Sequence, residues 1–184
     1  KVYGSTLTAS VSGQPTGTTS TAYQWQRADA ANGTYANISN ATGKTYKLGT
    51  GDMNQYLRVL VGTTSTYYTV SQGVSTGYGP IGKATASISA TVSGSKVIES
   101  AITANVTGLP SVGTNTVSYQ WQYSNDNKTW TSSTQGDAKT KTITPNYTWA
   151  GVYARCVISV SGNAYYNING YTLNVGQIGK GTKT

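Results

Sequence analysis

The sequence of 184 residues contains no histidine, no phenylalanine and a single cysteine, Cys156. Without histidine, neither a Ser-His-Asp nor a Cys-His catalytic arrangement can form, and zinc sites lose their commonest ligands. One cysteine allows no internal disulfide. We therefore expect Cys156 to behave as a small buried hydrophobe, with a reactive thiol as the alternative.

Acidic residues are also scarce, with five of them in the whole chain. Glycoside hydrolysis needs two carboxylates facing one cleft, whereas Asp29 and Asp126 lie in equivalent hairpins of separate modules and Asp52 and Asp137 lie in predicted loops. We therefore expect no enzymatic activity, no catalytic residue and no cofactor. Asn125, Asp126, Asn127 and Asp137 carry the oxygen ligands that calcium prefers, but a solvated hairpin is the favoured interpretation and we assign no metal site.

Basic residues number 13, so the net charge is +8. Such a charge can favour nucleic acid, anionic membranes or acidic polymers. The lysines are scattered without a dense basic run, so the signature of a nucleic-acid-binding tail is missing. We expect no nucleic-acid partner and no membrane insertion, and an anionic cell-wall polymer or glycan is the electrostatic alternative.

The run Tyr-Gln-Trp-Gln occurs at residues 23–26 and again at residues 119–122. The separation between matching segments drifts by very few residues, so the insertions must lie in loops. This predicts two copies of one module of roughly 95 residues, which is an ordinary domain size. The other matching segments are 7–11 with 102–106, 44–46 with 141–143, 56–59 with 153–156, and 80–83 with 177–180. The predicted domains are residues 1–82 and 83–180, followed by a tail at 181–184 that leads toward a next repeat.

The two copies differ at their starts. Lys1 matches Lys96, but the second copy has a further apolar and polar alternation at residues 84–92 ahead of that point. The first copy therefore lacks its N-terminal strand within this chain. Two explanations stay open: the chain is part of a longer array, or a neighbouring chain's tail fills the vacant edge, because an open edge strand is a template for pairing.

Short alternating segments separated by turn residues fill both copies. In residues 5–12, Leu7, Ala9 and Val11 share one face, which is typical of a half-buried strand. Residues 66–70 are predicted to form a strand as well. Because no segment shows a helical apolar period, the pattern predicts an all-β fold of the β-sandwich class. The predicted core anchors are Trp25, Trp121, Tyr56, Tyr153 and Cys156.

An inward tryptophan on an early strand, with Asp52 four residues before Tyr56, resembles the immunoglobulin-like fold and its tyrosine corner. The second copy has Trp149 where the first has Asp52, and the inter-sheet cysteine pair of antibody domains is missing. A longer pattern at residues 23–29, 33–35, 41–46, 56–59 and 79–81 is similar to tandem immunoglobulin-like repeats of bacterial surface proteins, including surface-layer proteins and wall-anchored adhesins.

This resemblance implies two tandem immunoglobulin-like β-sandwiches in series, the first without its N-terminal strand. It also implies an extracellular, cell-surface location and a structural or adhesive role with no catalytic residues. The implied partners are other copies of the chain or neighbouring repeats.

Tyrosines are the best candidates for contact with a partner. In an alternating strand, one residue of a tyrosine doublet must face outward, where it can stack on a sugar ring or anchor an interface. The alternative is that outward tyrosines merely cover a sheet face. The candidate contact surface is Tyr67, Tyr68, Tyr165, Tyr166 and Tyr171.

Six Asn-x-Ser/Thr sequons offer positions for glycosylation, although a chain so rich in these residues produces several by chance. They are Asn32, Asn37, Asn40, Asn105, Asn127 and Asn146. The first hypothesis for function is thus a structural and assembly module of a surface array. The second is an adhesin or carbohydrate-binding module that uses the tyrosines, and the third is an accessory domain of an enzyme.

Overall fold

The computed structural model describes residues 1–70 and 72–182. The chain divides into two compact units, Lys1–Ala84 and Thr85–Thr184, called unit 1 and unit 2 below. Within the described residues the regular structure is β-strand, apart from short 3-10 turns at Thr50–Asp52 and Tyr147–Trp149. The all-β prediction is confirmed. In each unit two sheets face one core, an arrangement consistent with a β-sandwich.

Unit 1 has one larger and one smaller sheet, and both are antiparallel. The larger sheet has the order β3-β2-β5-β6, and the smaller sheet pairs β1 with β4. The long β2–β5 pair places Trp25 opposite Val59. The strands are β1 (Thr6–Thr8), β2 (Thr18–Ala28), β3 (Ala36–Asn37), β4 (Thr45–Lys47), β5 (Tyr56–Ser65) and β6 (Gly73–Val74).

Unit 2 repeats this plan and adds strands at its start. Its strands are β7 (Ala84–Ser87), β8 (Ser89–Gly94), β9 (Ile102–Thr107), β10 (Thr116–Ser124), β11 (Thr131–Ser132), β12 (Thr142–Ile143), β13 (Tyr153–Ser161), β14 (Tyr166–Asn169) and β15 (Tyr171–Gln177). One sheet has the order β11-β10-β13-β15 and the other the order β12-β9-β8, while β7 pairs with β14. Trp121 lies opposite Cys156, as Trp25 lies opposite Val59.

A buried indole lies in each core and is held in the same way. Trp25 Nε1 donates to the carbonyl of Gly43 at 2.9 Å, and Trp121 Nε1 donates to the carbonyl of Thr140 at 3.0 Å. Each bond satisfies the polar atom that burial of the large ring would otherwise strand. The two units therefore bury their indoles in the same way.

A polar motif on the large sheet is also duplicated. In unit 1, Arg58 Nε donates to Gln26 Oε1 at 2.7 Å, and the guanidinium carbon lies 4.2 Å from the centre of the Tyr35 ring. Such a stack combines a charge-assisted hydrogen bond with a cation–π contact. In unit 2 the corresponding distances are 2.7 Å and 4.3 Å. The corresponding residues are Arg155, Gln122 and Trp130.

Two predicted strands of unit 1 differ from the structure. The strand expected over residues 5–12 is limited to Thr6–Thr8, and residues 66–70 lie outside any strand. In unit 2, β9 is flanked by β8, and β14 pairs with β7. Since the described residues of unit 1 hold no counterpart of β7 or β8, its main chain lacks these pairing partners. The prediction that Tyr67 and Tyr68 alternate across a sheet is therefore wrong.

Candidate functional site

The first strand of unit 1 has one open edge. Among the described residues, β1 pairs with β4 alone, and the Ala9 N–H continues that pairing to the Lys44 carbonyl at 2.9 Å. In an antiparallel strand successive residues direct their main-chain groups to opposite edges. The main-chain groups of Thr8 and Ser10 therefore point away from β4, toward the open side.

A groove with a volume of about 460 Å³ runs along this open edge. Its walls are β1 on one side and residues 75–78 on the other, and the core residues Trp25, Leu57 and Val59 line it. A smaller opening of about 150 Å³ is lined by Val11 and Val61, beyond the end of β1. Apolar side chains of the unit 1 core thus line both openings.

Unit 2 shows what covers this position. There β8 pairs along β9, and Ala90 of β8 and the preceding Ile88 are buried in one cluster with Trp121. Trp121 and Ile102 retain no exposure, whereas their unit 1 counterparts Trp25 and Leu7 retain 4% and 8%. The groove of unit 1 therefore occupies the place that β8 fills in unit 2.

The main-chain hydrogen bond at one end of the groove has a counterpart in unit 2. Gly82 N–H donates to the Lys1 carbonyl at 3.3 Å, and Gly179 N–H donates to the Lys96 carbonyl at 2.8 Å. Lys1 thus stands where unit 2 receives the chain from β8.

The candidate tyrosines have different environments. Tyr67 and Tyr68 are 73% and 59% exposed, outside any strand. The Tyr67 ring nevertheless lies close to the turn at Gly17, which has a φ of +77°, and a Cβ there would be 2.5 Å from the ring. Sequence reasoning missed Tyr147, which is 76% exposed on a 3-10 turn.

The unit 2 tyrosines are more constrained. The buried side chain of Asn163 accepts hydrogen bonds from the main-chain N–H groups of Tyr165 and Tyr166, both at 2.9 Å, and both tyrosines are half-buried. Tyr171 begins β15, pairs with Ile158 and is 37% exposed. These residues form part of a turn held by Asn163 and of a strand, and the most exposed candidates are Tyr67 and Tyr68 of unit 1.

A carboxylate is buried under the 3-10 turn of unit 1. Asp52 accepts hydrogen bonds from the Gly49 N–H at 2.7 Å and the Tyr46 hydroxyl at 2.9 Å, and Arg27 lies 3.5 Å away. Burial, with the bond to Asp52, raises the pKa of Tyr46 to about 12. Among the described contacts this carboxylate is bonded to Tyr46 and not to Tyr56, the tyrosine of the proposed corner.

The candidate calcium ligands hold turns together. The N–H groups of Thr129 and Lys128 donate to Asp126 and hold the pKa of its carboxyl well below the ordinary value. Asp137 accepts from Gln135 and from the Thr144 N–H. No group of three or more His, Cys, Asp or Glu residues comes together in the described part of the chain.

The remaining candidates divide between core and surface. Cys156 is fully buried, and burial raises the pKa of its thiol to about 12. Tyr56 and Tyr153 are half-buried and lie outside both core clusters, unlike the two tryptophans. Among the sequons, Asn105 is half-buried and donates to Ser93. The exposed sequon residues are Asn32, Asn37, Asn40, Asn127 and Asn146.

No protein-family model and no curated protein matches this chain. Within residues 1–70 and 72–182, no helix has the length and apolar character needed to cross a membrane.

Proposed function

We propose that this chain is a non-catalytic structural and assembly module of a bacterial cell-surface protein. In this proposal the two units are tandem immunoglobulin-like β-sandwich repeats that act through protein–protein contacts. The resemblance of the sequence to repeats of surface-layer proteins and wall-anchored adhesins supports the location. The partners are other copies of the chain or neighbouring repeats of the same kind.

The duplication of one plan in the two units is the observation that carries this proposal. The same indole anchor and the same Gln–Arg–aromatic motif recur in both units, so they share one construction plan.

Sedimentation velocity and negative-stain electron microscopy of the purified chain test the assembly role. We expect concentration-dependent multimers, fibres or sheets. A chain that stays monomeric across a hundredfold range of concentration would contradict self-assembly. Antibody labelling of intact cells of the source organism tests the location separately, and labelling that requires permeabilised cells would contradict it.

An adhesin or carbohydrate-binding function is the second candidate, favoured by the exposure of Tyr67 and Tyr68. Exposed tyrosines supply rigid, amphipathic contact area at low entropic cost. A glycan array with the purified chain tests this candidate. Binding should disappear in a Tyr67→Ala/Tyr68→Ala variant and persist in Tyr147→Ala, which removes an equally exposed tyrosine from unit 2. An array without signal, or equal loss in both variants, would contradict it.

A further inference from the structure

We propose that unit 2 binds a carboxylated sugar, namely a uronic acid within an acidic polysaccharide. The site is a groove of about 410 Å³ beside β13 and β15, called the Trp130 groove below. This volume lies within the range of roughly 300–1,000 Å³ that small-molecule sites occupy. The inference goes beyond the proposed assembly role and does not depend on it.

Arg155 supplies a fixed positive charge to this groove. It alternates along β13 with Ala154 and Cys156 of the core, so its side chain points to the opposite face of the sheet. Its Nε donates to Gln122 Oε1 at 2.7 Å, and its guanidinium carbon lies 4.3 Å from the centre of the Trp130 ring. Within the described residues its two terminal nitrogens donate no hydrogen bond. A guanidinium held in this way keeps a free fork that matches the two oxygens of a carboxylate.

The charges around the Trp130 groove favour an anion. Among the described residues that line it, none is acidic. Asp126 precedes the lining residue Asn127, but its carboxylate accepts hydrogen bonds from the N–H groups of Lys128 and Thr129 and borders a separate opening. The chain as a whole carries a net charge of +8. A carboxylate in the groove would therefore meet a cation and no competing acid.

Three further side chains offer hydrogen bonds to sugar hydroxyls. Asn127 and Asn174 are exposed and Tyr153 is half-buried, and all three line the groove. In the part of the chain that the structure describes, none of these side chains bonds to another residue. Amide and phenol groups can both donate and accept, as a hydroxyl does. Together with the half-buried Trp130 ring they form the combination of aromatic surface and few polar groups that is typical of a ligand site.

Backbone geometry keeps the groove open beside β15 and disfavours a peptide strand. The pairing of β13 with β15 shifts in register between Ala154 and Arg155, and Gly176 has a φ of +100° with open space where a Cβ would lie. In unit 1 the position of Gly176 is taken by Tyr78, which pairs with Leu57 as Gly176 pairs with Ala154. An irregular edge is a poor template for an added strand. A sugar therefore fits the Trp130 groove better than a peptide.

Titration of the complete chain with a trimer of galacturonic acid tests the proposal. Binding is followed by calorimetry and by acrylamide quenching of tryptophan fluorescence. Trp25, Trp121 and Trp149 are 4%, 0% and 3% exposed, so quenching reports mainly on Trp130, the fourth tryptophan. We expect saturable binding that shields Trp130. The methyl ester of the same trimer should bind at least about tenfold more weakly, because it has lost the charge that pairs with Arg155.

Three chain variants locate the binding. Arg155→Gln should weaken it by at least about tenfold, because it removes the charge. Asn174→Ala removes one exposed amide and should weaken it about threefold without changing the melting temperature, which separates a binding defect from a folding defect. The matched control is Arg58→Gln, which alters the same stacked motif in unit 1 and should leave the affinity unchanged.

Several results would overturn the proposal. Absence of saturable binding, or equal binding of the trimer and its methyl ester, would show that the groove does not recognise the carboxylate. Equal weakening by Arg155→Gln and Arg58→Gln would indicate general attraction between a basic chain and an anion. A glutamate tripeptide that binds as tightly would show selection by charge alone. Loss of binding in the Tyr67→Ala/Tyr68→Ala variant would place the sugar on those tyrosines instead.

Discussion

At the scale of single residues, the sequence predicts the largest contribution to stability from the tryptophan that anchors each core. Trp121 is fully buried, and its indole N–H satisfies the carbonyl of Thr140. Trp121→Ala should lower the free energy of unfolding of unit 2 by about 3–5 kcal/mol, because it leaves a large cavity and strands a carbonyl. Guanidinium unfolding measures the change.

Tyr147 provides the matched control for that experiment. It is an aromatic residue of the same unit but is 76% exposed, so Tyr147→Ala should change the unfolding free energy by less than about 0.5 kcal/mol. Equal effects of the two substitutions would mean that the indole does not organise the core.

Cys156 reports directly on the opening of unit 2. The thiolate is the reactive form of cysteine, and burial raises the pKa of this thiol to about 12, so the folded unit holds it protonated and inaccessible. At pH 8 an aromatic disulfide reagent should label the native chain slowly and the chain in guanidinium at once. Rapid labelling of the native chain would contradict a buried role and restore the reactive thiol as an alternative.

The same thiol gives unit 2 a sensitivity to alkaline pH. Its pKa rises from 9.0 to about 12 on folding, so the folded state holds the proton more tightly. The stability contributed by this group is complete below pH 9 and is lost as pH rises toward 12. Cys156→Val, which copies the equivalent Val59 of unit 1, should reduce the slope of stability against pH in this range. An unchanged slope in chemical unfolding would contradict the assignment.

At the scale of elements, the equivalent 3-10 turns of the two units are stabilised by different contacts. In unit 1 the turn Thr50–Asp52 holds a carboxylate that is 1% exposed beside an arginine that is 42% exposed. In unit 2 the counterparts are Tyr123 and Trp149, whose ring centres lie 5.4 Å apart. An ion pair with hydrogen bonds in one unit thus replaces an aromatic contact in the other.

Replacing Asp52 should destabilise unit 1 more than replacing its charged partner, Arg27. Asp52→Ala strands the Gly49 N–H and the Tyr46 hydroxyl, so we expect a loss of about 2–4 kcal/mol. Arg27→Ala should cost less than about 1 kcal/mol, because its side chain is partly solvated and 3.5 Å from the carboxylate. Chemical unfolding of the two variants decides the order, and a larger effect of Arg27→Ala would reverse our account of the turn.

The sequence predicts elements well where the pattern is local. Alternation and turn residues indicate the β2–β3 and β10–β11 hairpins, because side-chain periodicity and turn chemistry act over a few residues. The strand predicted at residues 66–70 was wrong: in unit 2 the corresponding strand β14 pairs with β7, and the described residues of unit 1 hold no equivalent of β7. Strand propensity depends on how well a segment packs against its neighbouring strands. The pattern of the segment itself does not show which strands those are.

At the scale of the whole chain, the sequence shows the duplication directly but indicates the groove of unit 1 only in part. The extra run at residues 84–92 marks a strand that unit 1 lacks. The position of the groove depends on residues far apart in sequence, because β1, Trp25 and residues 75–78 line it together. Likewise, the pair Arg27 and Asp52 of unit 1 is replaced by Tyr123 and Trp149 in unit 2. The two residues of each pair lie far apart in sequence, so a local pattern does not show the contact.

Unit 1 should be less stable than unit 2, because its groove is open where unit 2 is covered by β8. Unit 2 buries Ala90 of β8 and the preceding Ile88 in its core, whereas the groove along β1 of unit 1 is open. Less buried apolar area means a smaller free energy of unfolding, at roughly 25 cal/mol per Å². Scanning calorimetry should therefore show two transitions, with unit 1 melting first and the Cys156 thiol becoming reactive only in the second.

Filling the groove should act on the first transition alone. With residues 84–95 fused ahead of Lys1, the lower melting temperature should rise by at least about 4 °C, the shift that roughly 1 kcal/mol produces in a domain of this size. Trp121→Ala should move only the upper transition, which assigns the two peaks. A single cooperative transition, or exposure of Cys156 in the first step, would show that the open edge does not limit the stability of the chain.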